Sequence, residues 1–171
     1  MKVAFILSGL AAFASCMAVE KRDGTCAQQP AGSGPPSNPD TPSNFQIDPN
    51  FTNLATAATT PTNYTLAFSN GNAATAGTTF VGSTLLTTYA PAQCASFCTQ
   101  TMRCAGFNIY FERDPSLDPN AVGCPNPAGV TNIKCILWGE TVSNTTATNY
   151  GQFRASFQVV VAGSNGYNRV N

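Results

Sequence analysis

Six cysteines, Cys26, Cys94, Cys98, Cys104, Cys124 and Cys135, constrain what this chain can fold into more than any other feature. A seventh, Cys16, falls inside an N-terminal segment that reads as one to be removed. That segment opens with Met1-Lys2 and continues through an apolar run, residues 3–14, interrupted only by Ser8 and Gly9. One positive charge, a short apolar run and small residues around Cys16 and Ala18 describe a secretory signal peptide over residues 1–18. The run is too short to span a bilayer, which takes roughly 20 apolar residues. Six remaining cysteines in a small chain bound for an oxidising compartment read as a disulfide framework.

Residues 19–22 read as a short pro-segment ending in Lys21-Arg22, a dibasic processing site that would leave Asp23 as the mature N-terminus; the alternative is a pair of solvated charges. Three sequons, at Asn50, Asn63 and Asn144, fit the same secretory route as glycosylation acceptors. The chain carries eight basic and eight acidic residues, and Lys2, Lys21, Arg22 and Glu20 precede Asp23. Five basic and seven acidic residues therefore remain, a net charge of −2. No basic cluster is present to release counterions from phosphates, so nucleic acid is not an expected partner. No long apolar run follows residue 22, so the mature chain is expected to be secreted, extracellular or cell-wall associated, without a membrane anchor.

Residues 23–44 hold five prolines, three glycines and no large apolar side chain, so a disordered linker is expected there. Asp48 followed by Pro49, with Phe51, Leu54, Ala55 and Ala58 at helical spacing, predicts a short helix. A strand is expected over residues 79–86. Pro91 opens a predicted helix, residues 91–100, on which Cys94 and Cys98 leave the same face. Ala105, Phe107, Ile109 and Phe111 then alternate with Gly106, Asn108, Tyr110 and Glu112, the pattern of a half-buried strand. Residues 133–138 make another strand. Phe153, Ala155, Phe157, Val159 and Val161 alternate as a last one. Helix and antiparallel strands together predict an α+β domain.

The order of these parts resembles the PAN/apple family: a helix with two cysteines four apart, a third cysteine before an aromatic strand, then Cys135-Ile136-Leu137-Trp138. Residues 104–115, 132–139 and 161–167 are more narrowly similar to secreted fungal proteins carrying an apple-like domain. The resemblance implies one small disulfide-rich domain over residues 45–167, with its core at 78–162 and a tail at 168–171. It implies an antiparallel sheet packed on one helix. It further implies the pairs Cys94–Cys135 and Cys98–Cys104, with Cys26–Cys124 as the remaining pair. The role it implies is binding of a glycan or a protein, without a specific ligand site carried over.

Histidine is absent, which removes the commonest general base and the usual partner of a nucleophilic Ser or Cys. Glu112 and Asp114, with Asp118 nearby, could act as acid and base on a glycoside. The plainer expectation is a polar loop in which Arg113 balances the carboxylates. Glu112, Asp114, Ser116, Asp118 and Asn120 alternate as calcium ligands might, but Leu117 stands at the EF-hand glycine position and Gly123 at its bidentate Glu position. Zinc lacks a second cysteine pair or a histidine. Neither a metal nor a cofactor is expected, and the chain reads as non-catalytic. Sugars stack on aromatic faces; Tyr150 and Tyr167 lie in loop-like sequence, with Asn149 and Asn165 beside them, and are the expected ligand-binding residues. Trp138 is expected in the core. A secreted binding module for cell-wall carbohydrate or a surface glycoprotein thus stands beside a structural surface glycoprotein without a specific ligand. N-terminal sequencing of protein recovered from the medium of secreting cells should begin at Asp23; a start at Val19 would reject dibasic processing.

Overall fold

The computed structural model describes residues 25–170, so the signal segment, Lys21-Arg22 and the expected Asp23 terminus lie outside the described residues. Two short helices, α1 (Pro42–Ile47) and α2 (Pro49–Thr56), precede β1 (Tyr64–Gly71), β2 (Ala74–Thr75) and β3 (Phe80–Leu86). Helix α3 (Pro91–Gln100) leads to two ten-residue central strands, β4 (Gly106–Pro115) and β5 (Gly129–Trp138). The short strands β6 (Ala147–Asn149), β7 (Phe153–Arg154) and β8 (Phe157–Gln158) come before β9 (Val160–Arg169). The main sheet has the order β1-β9-β4-β5-β3, and every neighbouring pair is antiparallel. The molecule is a small, disulfide-rich α+β protein.

Asp48 caps α2 as its sequence requires: the carboxylate accepts from the Asn50 amide at 2.9 Å and Pro49 occupies the first helical position. Phe51 leaves that helix to stack on Phe111 of β4 at 4.6 Å between ring centroids. The first face of the sheet carries Phe107, Ile109, Phe111, Ile133, Cys135, Leu137 and Tyr167, all buried under the three helices. Cys94 of α3 bonds Cys135 at the middle of β5, and Cys98 bonds Cys104 just ahead of β4. The corresponding Cα separations are 5.7 and 5.3 Å, within the range a disulfide spans. Cys26 and Cys124 form the third bond, with their Cα atoms 5.9 Å apart. Closing that span of 98 residues restricts the unfolded chain by roughly 4–5 kcal/mol in loop entropy.

Three expectations need correction. The alternating run 153–161 is not one strand, because Ala155 adopts a left-handed backbone (φ 51°) and turns β7 back onto β8. The last strand instead runs through residues read as loop, and continues to Arg169 inside the expected tail. Gly163 makes this possible: its φ is +56°, and a Cβ there would stand 2.9 Å from the Phe111 ring.

The segment expected to be disordered is also ordered, from residue 25 onward. It forms a strap across the sheet end. Gln29 donates its amide to the Ser116 carbonyl, Gly34 to the Thr131 carbonyl, and Asp118 to the Ala27 carbonyl, at 2.9, 2.9 and 2.7 Å. Gly32 passes so close to β5 that a Cβ would lie 2.2 Å from the Thr131 oxygen. Asp40 then ties the strap down, accepting from Arg113 Nε and the Gly129 amide, each at 2.7 Å.

The second face of β4, expected to meet solvent, is buried along its whole length. Asn108 Oδ1 accepts from the Thr75 amide at 2.8 Å, which seats the β2–β6 ladder over the upper half. Trp138 is buried beside Phe68 and Val142. None of the helices among the described residues is long and apolar enough to cross a membrane. Because Arg113 is nearly buried, Asp40→Ala should cost roughly 1–3 kcal/mol in denaturant titration. It should also expose the strap to limited proteolysis; an unchanged cleavage pattern would show that the disulfide alone holds it.

Candidate functional site

The expected ligand residues do not come together. Tyr167 is fully buried and stacks on Phe107 at 5.0 Å. Asn165 is fully buried as well: Nδ2 donates to the Ala55 carbonyl and the Tyr167 hydroxyl, while Oδ1 accepts from the Asn70 amide and the Ser69 hydroxyl. Both are structural, a correction that follows from the strand running through them. Asn149 is exposed at the end of β6, and Tyr150, at 64 % exposure, on the loop that follows. The three sequon asparagines, Asn50, Asn63 and Asn144, are also exposed.

A different set of residues converges on the second face of the sheet. On β4 the alternation that sends Phe107, Ile109 and Phe111 into the core sends Tyr110, Glu112 and Asp114 the other way. On β5, Lys134 lies opposite Tyr110 and Asn132 opposite Glu112. The β2–β6 ladder packs on Tyr110 through Ala74 and stops short of the others. What remains is an open groove of about 470 Å³, floored by Tyr110, Asp114, Asn132 and Lys134. Ser83, Thr84 and Leu85 of β3 line one side, Gln29 and Pro30 of the strap another, and Arg154 of β7 also reaches it.

The carboxylates are not on a loop, and Arg113 does not balance them. Arg113 points to the opposite face, where it pairs with Asp40, donates to the Gln158 carbonyl and lies 4.1 Å from the centre of the Phe157 ring. The counter-ions are Lys134, which pairs directly with Glu112 and lies 3.5 Å from Asp114 Oδ2, and Arg154, 3.5 Å from Asp114 Oδ1. Asn132 donates to Asp114 Oδ2 at 2.8 Å. Asp114 Oδ1 is buried without a hydrogen bond. Glu112 does not line the groove; it sits behind Lys134 and holds the ammonium in place. Burial pushes its carboxyl up to about 7, the neighbouring Asp114 adds to the rise, and Lys134 opposes it. Burial likewise raises the Tyr110 phenol, with the charges of Glu112 and Asp114 adding to the effect, so it remains a protonated donor.

Asp118 turns away from this cluster and accepts from the Asn120 amide and side chain at 3.0 and 2.9 Å, so the alternating oxygens do not gather around one point. Among the described residues no group of three or more acidic or cysteine side chains could hold a metal ion. Comparison with family models, curated proteins and solved structures returns no match.

A carboxyl held above its ordinary 4.5 in the fold binds its proton more tightly there than in the unfolded chain. Its stabilising contribution is complete below about 4.5 and is lost as pH rises through about 7. Stability measured by denaturant titration should therefore fall across that window, by a few kcal/mol at most. Glu112→Gln, neutral at every pH, should flatten the slope. A wild-type stability that rises across the same window would contradict the assignment.

Proposed function

We propose that the chain is a secreted, non-catalytic PAN/apple-like binding module for cell-wall carbohydrate or a surface glycoprotein, with the β3–β4–β5 groove as its ligand site. The observation that carries this reading is the open groove itself, whose floor of Tyr110, Asp114, Asn132 and Lys134 is polar rather than apolar. A sugar presents hydroxyls that donate to and accept from such groups. Around it stand complementary groups: the protonated Tyr110, Asn132, Lys134 and Arg154 as donors, with Ser83 and Thr84 as donors or acceptors. Two carboxylates and two cations cancel in net charge, which suits a neutral polyol more than a polyanion.

Binding fits better than glycoside cleavage. Glu112 and Asp114 both pair with the Lys134 ammonium, so a cation rather than a glycosidic bond stands between the two carboxylates. Glu112 also lies behind Lys134, where no substrate oxygen reaches it. The disulfide framework and the resemblance of residues 104–115, 132–139 and 161–167 to apple-like domains support an extracellular role.

The test is retention on insoluble chitin and β-glucan, together with a glycan array, at low and high salt. Ser83→Tyr fills the groove from an exposed rim position and should reduce binding at least tenfold. Wild-type binding should persist at high salt, because a neutral ligand has little to screen. If Tyr150→Ala abolishes binding while Ser83→Tyr does not, the loop after β6 is the site instead. Retention on no glycan would favour the structural surface glycoprotein.

A further inference from the structure

We propose that Lys134 and Asp114 become joined by an amide bond between their side chains, a covalent cross-link between β4 and β5. The inference does not need the ligand reading, although it would make Lys134 part of an amide and no longer an ammonium donor in the groove. It rests on a placement that ordinary salt bridges do not need. Lys134 Nζ stands 3.5 Å from Asp114 Oδ2 and at the same time contacts Glu112. One amine thus touches both a carboxyl to receive it and a second carboxyl able to take its proton. All three project from neighbouring strands of one sheet, where the ladder fixes Tyr110 against Lys134 and Glu112 against Asn132. The side chains of Glu112 and Asp114 are only 7 % and 9 % exposed. Holding reactants in this way replaces an encounter in solution by a local one, with effective concentrations that reach about 10⁵ M or more in well-oriented systems.

The reaction balances without any further reactant. Lys134 begins as an ammonium and Asp114 as a carboxylate. Lys134 passes one proton to Glu112, which leaves a neutral amine. The nitrogen lone pair attacks Asp114 Cγ, the C–N bond forms, and the carbonyl electron pair moves onto Oδ1. Arg154 Nη2, 3.5 Å from Oδ1, stabilises the charge that collects there. The proton held by Glu112 and a second proton from Nζ pass to Oδ2, the C–Oδ2 bond breaks, and Oδ2 leaves as water into the groove. Asn132, donating to Oδ2 at 2.8 Å, supports the departing oxygen. The raised affinity of Glu112 for a proton is what lets it carry one between the two partners. The product removes two opposite charges from a buried place, and Oδ1 remains as an amide acceptor beside Arg154.

Intact mass spectrometry of the secreted full chain, after enzymatic removal of N-glycans and reduction of the disulfides, decides the matter. The expected mass is one water below that of the sequence, and proteolysis should give a branched peptide joining Asp114 to Lys134. Glu112→Gln, Asp114→Ala and Lys134→Arg should each restore the full mass, with near-UV circular dichroism to confirm folding. If a variant fails to fold, the wild-type mass and the branched peptide decide alone. A wild type of full mass whose Lys134 is labelled by an amine reagent after denaturation overturns the proposal. So does a link from Lys134 to Glu112, or one to Asn132 with loss of ammonia.

Discussion

Helix α3 is held to the sheet by two sulfurs that leave it one turn apart, and the remaining architecture depends on that attachment. The helix has ten residues, starts at Pro91 and lacks a side-chain cap at Ala90. Helices of that length are marginal in water by their own hydrogen bonds. Cys94 and Cys98 are fully buried and reach two different places, the middle of β5 and the entry to β4. Two anchors fix both position and rotation. The helix then offers the Ala95 carbonyl to the Tyr64 hydroxyl at 3.1 Å, which brings in the edge strand β1. The aromatic layer of Tyr64, Phe107 and Tyr167 closes beneath it.

Once one face of β4 and β5 is committed to the helices, the other face must be covered by whatever chain is left. The available pieces are strands of two and three residues and a proline-rich strap, none of which could stand alone. They are tied on through polar contacts: Asn108 to Thr75, Asp40 to Arg113, and the amides of the strap to β5 and the residues after β4. Such cover is patchwork. It closes over Ala74, Tyr110 and Val161, and leaves the lower half of the face as a groove. The cavity is therefore a consequence of the topology, and the side chains that β4 and β5 send in that direction become its floor.

Much of this was legible in the residues. The helix at Pro91, the strands around Phe107 and Ile133, and the capped helix after Asp48 all follow from local chemistry that the tertiary structure does not oppose. The strap was not legible, because its composition lacks apolar side chains and composition is blind to a neighbour that supplies the partners. Its glycines read as flexibility, whereas Gly32 serves close approach to β5. The last strand was missed for a related reason. Gly, Ser and Asn in residues 163–166 carry turn propensity, yet here they form a bulged central strand whose amide side chains are satisfied internally. Tyr167 was misjudged along with it. Glu112 and Asp114 were visible as a pair, but their true counter-ion was not. Lys134 lies twenty residues from Asp114 in the chain, and only the β4–β5 register, which sets it opposite Tyr110, brings its ammonium to the carboxylates. Strand alternation held the missing signal: Arg113 stands between the two carboxylates and must point away from both.

The charge cluster in the groove is difficult to account for as a stabilising device. Taking Lys134 and two carboxylates out of water is costly, and a buried ion pair often contributes no more than well-packed apolar residues of the same volume would. Here the arrangement falls short even of full compensation, since Asp114 Oδ1 finds an ion-pair neighbour but no hydrogen bond, and Glu112 is pushed toward its neutral form. The opposite face of the same strands shows what the fold does where only stability is at stake: Phe, Ile, Leu and a disulfide, with a single cation from β4. Arg113, the one cation that β4 sends there, is satisfied by a carboxylate, a carbonyl and an aromatic ring. The difference between the two faces is one of completeness. On the groove side the fold keeps a charge cluster whose desolvation it offsets only in part, a cost that the proposed ligand site would account for.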